Sequence, residues 1–353
     1  MSKFIGTTVS GIKCPIIKPG DDIVDFVVTS VIEACNAEKI SLQNKDVIGI
    51  TESLVARAQN NYCTIDELVD ELKKKYKKFG YNSIIVSSPI FSRNRFSMIL
   101  KAIARTFKKV YIVSDSVDEV GNQLMHPITK LNYREYYQSI VEGEGAEFSW
   151  ISGMTNVTSH NTLLCSLHKY FKPCNDKNYV SYNLKDIMSD KCEWGLLGSN
   201  KAGEELLKLF PTDCQNIVNQ IQDRIYQLTT AKVEVMIYGD GAFKDPVSGI
   251  WEFADPVVSP GYTDGLEGSP NEIKLKYVAD DKFSNLSGEE LTNAVKNEIA
   301  MKTSMNDDNM TRQGTTPRRY VDLLGSLMDL TSGSGDKGTP IVLVQGYFNN
   351  YSN

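Results

Sequence analysis

The sequence contains no long apolar run and no segment typical of protein targeting. No stretch of about 18 apolar residues occurs, which is the length that a membrane-spanning helix needs. The opening MSKFIGTTVSGIKCPIIKPGDD lacks the apolar centre of a secretory signal peptide. These two absences predict a protein of the cytoplasm.

Paired cysteines and basic clusters are lacking as well. The seven cysteines are scattered without a CxxC pair, which predicts free thiols in a reducing compartment and disfavours a disulfide framework. The chain carries 38 Lys and Arg against 44 Asp and Glu, a net charge of −6, with no basic stripe. Nucleic acid is therefore not an expected partner. An anionic substrate would depend on local lysines, arginines or bound metal ions for attraction.

What is present predicts a protein of mixed α and β structure. In residues 82–190, apolar strands alternate with helices, a pattern typical of a small lobe with a parallel sheet. One of these helices is predicted at residues 162–171. No GxGxxG follows any of its strands, so a dehydrogenase built on this lobe is disfavoured. The last third of the chain reads as mixed α+β.

Two acidic points are candidate metal ligands. Asp240 lies between two glycines at the end of an apolar run, a common way to direct a carboxylate at a bound cation; the alternative is an Asx turn that closes the strand. Asp280 and Asp281 are adjacent carboxylates, which repel unless a cation or solvent relieves them. Their alternative is the start of a helix, where negative charge is favoured.

The stretch LTSGSGDKGTPIVLVQGY has the composition of a loop that binds phosphate through backbone N–H groups. It is not a Walker A loop, because a helix is predicted before it and a strand after it. A flexible surface turn is the alternative. Lys337 lies in the loop and would supply local positive charge.

Other polar clusters have weaker patterns. A metal site at residues 160–174 lacks paired zinc spacing, and a core cysteine with a surface histidine is the favoured interpretation. Three predicted helix starts carry candidate anion-binding or capping residues, with capping or solvation as the alternative. The residues concerned are His160, Cys165, His168 and Cys174 in the first group, and Arg93, Arg95, Ser199, Asn200, Arg318 and Arg319 in the second.

Three segments together resemble the γ-glutamyl ligases that add L-glutamate to a coenzyme F-420 precursor. SGIKCPIIKPGDDI is similar to the family's opening Gly-Ile-x-x-Ile-x-x-Gly-Asp-Asp. DVIGITESLVARAQN is similar to its strand followed by Ile-Val-Ser-Lys-Ala-Glu, and LTSGSGDKGTPIVLVQGY to its terminal Gly-x-x-Asp-x-Gly-Ile-Pro-Val-Val-x-x-Arg-Gly. The order and placement of the segments also agree over residues 6–60 and 232–348.

The resemblance implies a set of site residues. Arg57 stands where the family has Lys, and with Lys244 and Lys337 it is a candidate to neutralise phosphate charge in the expected mechanism, although Lys244 lies in a segment that departs from the family's pattern. Asp240, Asp280 and Asp281 would bind divalent metal. The implied nucleotide contacts are Cys14, Pro15, Ile16, Ile17, Glu52, Ser53, Arg57, Ser332, Gly333, Ser334, Gly335, Asp336, Lys337, Gly338 and Thr339.

The resemblance also implies a fold and an activity. The expected fold is an α+β ligase core of residues 1–81 and 232–353, with an inserted α/β lobe of residues 82–231 that contributes to acceptor binding or to an interface. The expected activity is GTP- or ATP-dependent amide ligation with Mg²⁺ or Mn²⁺, in which a small carboxylic acid becomes an acyl phosphate and reacts with L-glutamate. The family forms a homodimer, so a dimer is expected.

Two alternatives stay open. The same chemistry could act on another acceptor, such as a folate-like acid. The protein could also bind a nucleotide or metabolite without turnover. Ser334, at a position expected to hold an acidic or amide metal ligand, and the segment GAFKDPVSGIW after Asp240 favour that second alternative.

Overall fold

The computed structural model describes most of the chain, with internal gaps. The described residues are 5–76, 82–87, 91, 95–118, 123–152, 163–166, 175–176, 179–244, 251–270, 275–303, 319–333 and 335–349. Within them, the mixed α+β class that the sequence predicts is confirmed.

A five-stranded sheet forms the first part of the fold. Its strand order is β1-β14-β2-β12-β13, with β2 and β12 parallel and the other neighbours antiparallel. The strands span Thr8–Ile12 (β1), Val47–Thr51 (β2), Glu234–Lys244 (β12), Trp251–Tyr262 (β13) and Ile341–Gln345 (β14). The first and last segments of the chain therefore lie side by side in one sheet.

Helices cover both faces of this sheet. Along β2, Ile48 and Ile50 face one apolar cluster while Val47 faces another, as the period of two in a strand requires. Helices α1 (Ile23–Glu38) and α6 (Cys214–Thr229) pack on the first face, and α9 (Tyr320–Ser332) packs on the second. Burial on both faces explains the continuous apolar sequence of the central strands.

Two polar side chains make specific hydrogen bonds on the two faces of the first sheet. Helix α1 begins after Asp22, whose carboxylate accepts hydrogen bonds from the backbone N–H groups of Val24 and Asp25. On the other face, Tyr238 of β12 is fully buried and its hydroxyl donates to the carbonyl of Met328 at 3.3 Å. Burial raises the pKa of Tyr238 to about 12, so the hydroxyl keeps its proton.

The second part of the fold is the predicted lobe with a parallel sheet. Its strand order is β6-β5-β4-β7-β9-β8, and the first five of these are parallel. The strands span Ser83–Ser87 (β4), Lys109–Ser114 (β5), Glu147–Ser152 (β6), Leu163–Ser166 (β7), Asn175–Asp176 (β8) and Tyr179–Asn183 (β9). Helices α3 (Ile65–Tyr76), α4 (Phe96–Thr106) and α5 (Tyr133–Gly143) contribute to the apolar cluster on this sheet.

Smaller elements complete the described structure. Strands β3 (Tyr62–Thr64), β10 (Asn200–Lys201) and β11 (Leu206–Lys208) form a three-stranded antiparallel sheet. Helix α2 spans Glu52–Ala58 and follows β2 directly. The short α7 (Leu275–Tyr277) continues into a π-helical turn at Val278–Lys282, which packs with α8 (Gly288–Thr303) around a small apolar cluster.

Two local predictions are wrong. The helix predicted at residues 162–171 is contradicted at Leu163–Ser166, which form β7 between β4 and β9. The helix start predicted near Ser199 and Asn200 is instead strand β10, and Ser199 is fully buried. Both runs are short, one apolar and one polar, and pairing with neighbouring strands decided their conformation. His160, His168 and Cys174 lie outside the described residues, as does the side chain of Cys165.

The apolar clusters divide the chain at other points than residues 82 and 231. Helix α6, from within the predicted lobe, packs with the first sheet. Residues 63–76, from within the predicted core, pack with the second sheet. The division into a core and an inserted lobe stays a prediction. Each of the two regions contributes an element that packs against the sheet of the other.

The described cysteines agree with the expectation of free thiols. Cys14, Cys35, Cys63, Cys192 and Cys214 form no disulfide with one another. Burial raises the pKa of Cys63 to about 12, so its thiol is unreactive at neutral pH. In the described part of the chain, no helix is both long and apolar enough to cross a bilayer.

The packing of α6 on the first sheet gives a stability prediction. Ile221 is fully buried in that interface, while Leu228 on the same helix is 63% exposed. We expect Ile221→Ala to lower the free energy of unfolding by about 2–5 kcal/mol, because it removes buried methyl groups and leaves a cavity. Leu228→Ala is the matched control and should change it by less than about 0.5 kcal/mol. Equal midpoints for the two variants in denaturant unfolding would contradict the packing.

Candidate functional site

One edge of the first sheet collects most of the sequence-predicted site residues. The register pairs Ile12 with Ile341, Ile341 with Ile50, and Thr51 with Tyr238. The loop after β1, the start of α2, residues 239–240 of β12 and the loop before β14 therefore meet at this edge. We call it the carboxyl edge, after the carboxyl ends of β1 and β2.

Backbone hydrogen bonds hold the terminal loop against the other two segments. The N–H of Cys14 donates to the carbonyl of Gly338 at 3.0 Å, and the N–H of Thr51 donates to the carbonyl of Pro340 at 3.0 Å. The hydroxyl of Thr339 donates to the carbonyl of Ser332 at 3.1 Å and closes the base of the loop. These hydrogen bonds fix the position of the loop at the carboxyl edge. A flexible surface turn would not need them.

The loop itself has the backbone conformation of a tight turn. Gly335–Lys337 form a single 3-10 turn, with Asp336 exposed within it. Gly338 has a φ of 65° and Gly333 a φ of 60°, values that favour glycine. The exposed Lys337 runs beside Gly333, where a Cβ would come within 2.7 Å of the lysine Nζ. Ser334 lies outside the described residues.

The loop after β1 is anchored from α2. The Nε of Arg57 donates to the carbonyl of Ile17 at 2.7 Å, and the Ile17 side chain is buried. Pro15 and Ile16 are exposed, Ile16 by 84%. Arg57 therefore fixes the loop that carries the predicted contacts, while part of that loop faces solvent.

The surroundings of Cys14 disfavour the reactive form of its thiol. Its thiol donates to the carbonyl of Ile12 at 3.4 Å, and burial raises the pKa of the thiol above its usual value. The thiolate, which is the reactive form, is therefore disfavoured at neutral pH.

The central polar group of the carboxyl edge is a buried ion pair. Lys208 Nζ donates to both carboxylate oxygens of Glu52, at 2.6 and 2.7 Å, and to Ser53 Oγ at 2.9 Å. The lysine and glutamate side chains are only 8% and 9% exposed. A buried pair with every contact at hydrogen-bond distance holds its two elements, β11 and α2, in one arrangement.

Sequence reasoning missed Lys208. It lies in the run LLKLF, in which Leu207, Leu209 and Phe210 are fully buried. A lysine within such an apolar run is a signal, since a buried lysine requires a partner. The partner is 156 positions earlier in the chain, and only the tertiary structure identifies it.

Gly239 allows Glu52 to approach β12. A Cβ at Gly239 would lie 2.3 Å from Glu52 Cγ, so a larger residue would displace the glutamate. The ion pair therefore lies directly beside the backbone that leads to Asp240.

Asp240 lies inside β12 and does not end the strand. It pairs with Val257, and the register is irregular on both sides of it, between Ile237 and Gly239 and between Asp240 and Ala242. Both interpretations of Asp240, as a carboxylate directed from a strand end and as an Asx turn that closes the strand, placed it at the end of the strand, and that placement is wrong. Such irregularities redirect side chains at the ends of sheets. The side chains of Asp240 and Lys244 lie outside the described residues.

Asp280 and Asp281 are exposed in the π-helical turn. The turn packs through Val278 against Val295 and Ile299 of α8. Carboxylates have the right chemistry for Mg²⁺ or Mn²⁺. Among the side chains that the structure describes, however, no three histidines, cysteines or carboxylates are grouped as a metal site would require. The metal site therefore stays a prediction that depends on Asp240.

The remaining predicted cations have local roles or are not described. Arg319 precedes α9, and its guanidinium binds Asp322 Oδ1 at 2.7 Å, which raises the arginine pKa. Arg95 is buried just before α4. Arg93 and Arg318 lie outside the described residues. For Arg319 the expectation of an anionic neighbour is met by a carboxylate of its own helix.

Comparison with known proteins gives one family. The family model described as F420-0:gamma-glutamyl ligase matches residues 11–346. The match runs through the middle region as well as the two ends. No curated protein matches the chain.

The ion pair gives a second stability prediction. We expect Lys208→Met to lower the free energy of unfolding by about 3–5 kcal/mol, because it leaves the carboxylate of Glu52 buried without its counter-ion. Glu52→Gln combined with Lys208→Met should recover most of that loss, since neither partner is then charged. Thermal and denaturant unfolding of the three proteins would measure this. A double variant no more stable than Lys208→Met would contradict the pairing as the source of the loss.

Proposed function

This chain belongs to the F420-0:gamma-glutamyl ligase family, and from that premise we propose that it joins the amine of L-glutamate to a small carboxylic acid at the expense of GTP or ATP. The observation that carries the proposal is the convergence of three separate chain segments at the carboxyl edge. These are the segments that the family resemblance assigns to nucleotide binding.

The nucleotide is proposed to bind between the loop after β1, the first residues of α2 and the terminal loop. Cys14–Ile17 are fixed by Arg57 and by the hydrogen bond from Cys14 to Gly338. The glycines of the terminal loop have no side chains, so phosphate oxygens could approach its backbone closely. The N–H groups of Gly333 and Gly338 donate to the carbonyls of Asp329 and Gly335, so other residues of the loop would supply the donors. A site on three segments that are held together by hydrogen bonds suits an extended anion such as a polyphosphate.

Local positive charge would compensate for the acidic chain. The net charge is −6, so the field of the whole protein repels an anion. Arg57 and Lys337 are both exposed at the carboxyl edge, and Lys244 follows Asp240 on β12. We assign to these three the neutralisation of phosphate charge that phosphoryl transfer requires.

Divalent metal is proposed at Asp240, Asp280 and Asp281. When bound, Mg²⁺ or Mn²⁺ would neutralise negative charge on the phosphate oxygens. The carboxylates of this chain would hold the ion, and the irregular register at Asp240 is the feature of β12 that supports a functional role there.

The proposed reaction has two balanced steps. A carboxylate oxygen of the acceptor attacks the terminal phosphorus, the bond to the nucleoside diphosphate breaks, and an acyl phosphate forms. The amine of glutamate then attacks the acyl carbon, phosphate leaves, and the nitrogen loses a proton to give the amide.

The acceptor proposed first is the coenzyme F-420 precursor in the family's description. A folate-like acid remains the alternative acceptor, and binding without turnover the alternative of another class. The decisive experiment incubates the protein with GTP or ATP, Mg²⁺ or Mn²⁺, glutamate and a panel of carboxylic acids. Mass spectrometry should find a product heavier by one glutamyl residue. Tight nucleotide binding with no product and no phosphate release would favour the non-catalytic alternative.

Asp240 gives the sharpest test of the metal assignment. We expect Asp240→Asn to lower metal-dependent nucleotide turnover by more than about 100-fold, beyond the loss typical of residues that merely support a metal ligand. The matched control is Asp190→Asn, whose side chain is 83% exposed in the lobe and should leave turnover unchanged. Turnover of Asp240→Asn within a few-fold of the parent would remove Asp240 from the metal site.

A homodimer is proposed with an interface near the carboxyl edge. Two large apolar side chains are exposed there: Ile16 in the loop after β1, and Leu330, 81% exposed, in the last turn of α9 before the terminal loop. Ile16 and Leu330 lie in or beside two of the loops that meet at the carboxyl edge, and exposed apolar surface of this kind is typical of interfaces.

Light scattering should therefore report a dimer. Ile16→Ser combined with Leu330→Glu should shift it to monomer, because the charge would be desolvated in the interface. Ile128→Ser is the control, since Ile128 is equally exposed but lies in the lobe. A monomeric parent protein would refute the dimer.

A further inference from the structure

Lys208 uses all of its hydrogen-bonding capacity within the carboxyl edge. Its ammonium group has three N–H donors and no acceptor. Two contacts go to the oxygens of Glu52 and one goes to the hydroxyl oxygen of Ser53. The lysine therefore has no donor left for a ligand, and any effect of its hydrogen bonds on a ligand must pass through these two neighbours.

The contact with Ser53 determines how that hydroxyl behaves. A serine hydroxyl has one proton and can either donate or accept toward a ligand. Because Ser53 Oγ accepts from Lys208 at 2.9 Å, its own proton must point away from the lysine. Ser53 is exposed at the carboxyl edge, so a ligand there could accept that proton.

The contact with Glu52 neutralises a negative charge next to the proposed nucleotide site. An uncompensated carboxylate at this place would repel an incoming polyphosphate. Lys208 pairs with both oxygens of Glu52 and removes that repulsion, while Gly239 gives the glutamate the space to stay in contact.

We propose that Lys208 is a positioning residue for nucleotide binding: it orients the Ser53 hydroxyl as a donor to a phosphate oxygen and neutralises Glu52. A phosphate oxygen is only an acceptor, so an oriented donor fits it. This inference rests on the proposed function. It also gives the middle region a place in the site, because Lys208 comes from β11, which pairs with β3 beside the lobe cluster.

The test compares the effect of Ser53→Ala in three proteins. They are the parent, Glu52→Gln, and the neutral pair Glu52→Gln with Lys208→Met, which avoids a buried unpaired charge. Binding of GTP, ATP and inorganic triphosphate, each with Mg²⁺, is measured by calorimetry. Thermal unfolding of every variant verifies that it is folded.

Orientation by Lys208 predicts a specific pattern of coupling. Ser53→Ala should weaken binding about tenfold in the parent, the loss typical of one hydrogen bond to a charged group. It should weaken binding about as much in Glu52→Gln, where the lysine still donates to Ser53. In the neutral pair it should weaken binding by less than about twofold, because the hydroxyl is no longer oriented. Equal losses in the parent and the neutral pair would overturn the proposal and leave Lys208 a structural residue.

Kinetics separate this inference from the ligase proposal. In the ligation assay, the same variants should raise the KM for nucleotide and leave kcat unchanged, as expected for a contact made equally before and during reaction. Nucleotide binding with the predicted coupling but no ligation would refute the ligase activity and support the role of Lys208. Ligation without the predicted coupling would support the ligase activity and refute the role of Lys208. Absence of binding to all three phosphates would refute both.

Discussion

The register of the first sheet is the constraint on which the rest of the structure depends. Strand β2 lies between β14 and β12 and is buried on both faces, so a slip of one residue would exchange the side chains of Ile48 and Ile50 with that of Val47. The α1/α6 face and the α9 face could not both stay packed after such a slip. With the register fixed, the loops at the carboxyl edge have fixed relative positions, and the hydrogen bonds from Cys14 to Gly338 and from Thr51 to Pro340 follow.

The ion pair between Glu52 and Lys208 joins this sheet to the middle of the chain. A buried pair contributes little net stability compared with an apolar replacement, yet losing one partner is costly. The pair therefore acts chiefly to specify one arrangement of α2 and β11. Helix α6 and residues 63–76 join the same two regions by packing. The continuous family match over residues 11–346 agrees with a middle region that belongs to the site's framework.

The sequence predicted the loop segments of the candidate site but not the buried ion pair between them. The segments around Cys14, Glu52 and the terminal loop were predicted from their resemblance to the family's motifs and from their order, and the register brings them together. Lys208 was missed because its partner is distant along the chain. The strand at Leu163–Ser166 was missed because a short apolar run fits a helix or a strand equally well. The roles of Asp240, Asp280 and Asp281 stay predictions.

The sequence alone determined the alternation of apolar strands with helices that predicts the parallel-sheet lobe, and the scattered spacing of the cysteines, because each depends on neighbours along the chain. Only the tertiary structure decided which loops meet, that Gly239 makes room for Glu52, and that Lys208 is buried against it. The physical reason is the range of the interactions. Capping and periodicity act over a few residues, whereas strand register and a buried charge pair join positions separated by more than a hundred residues.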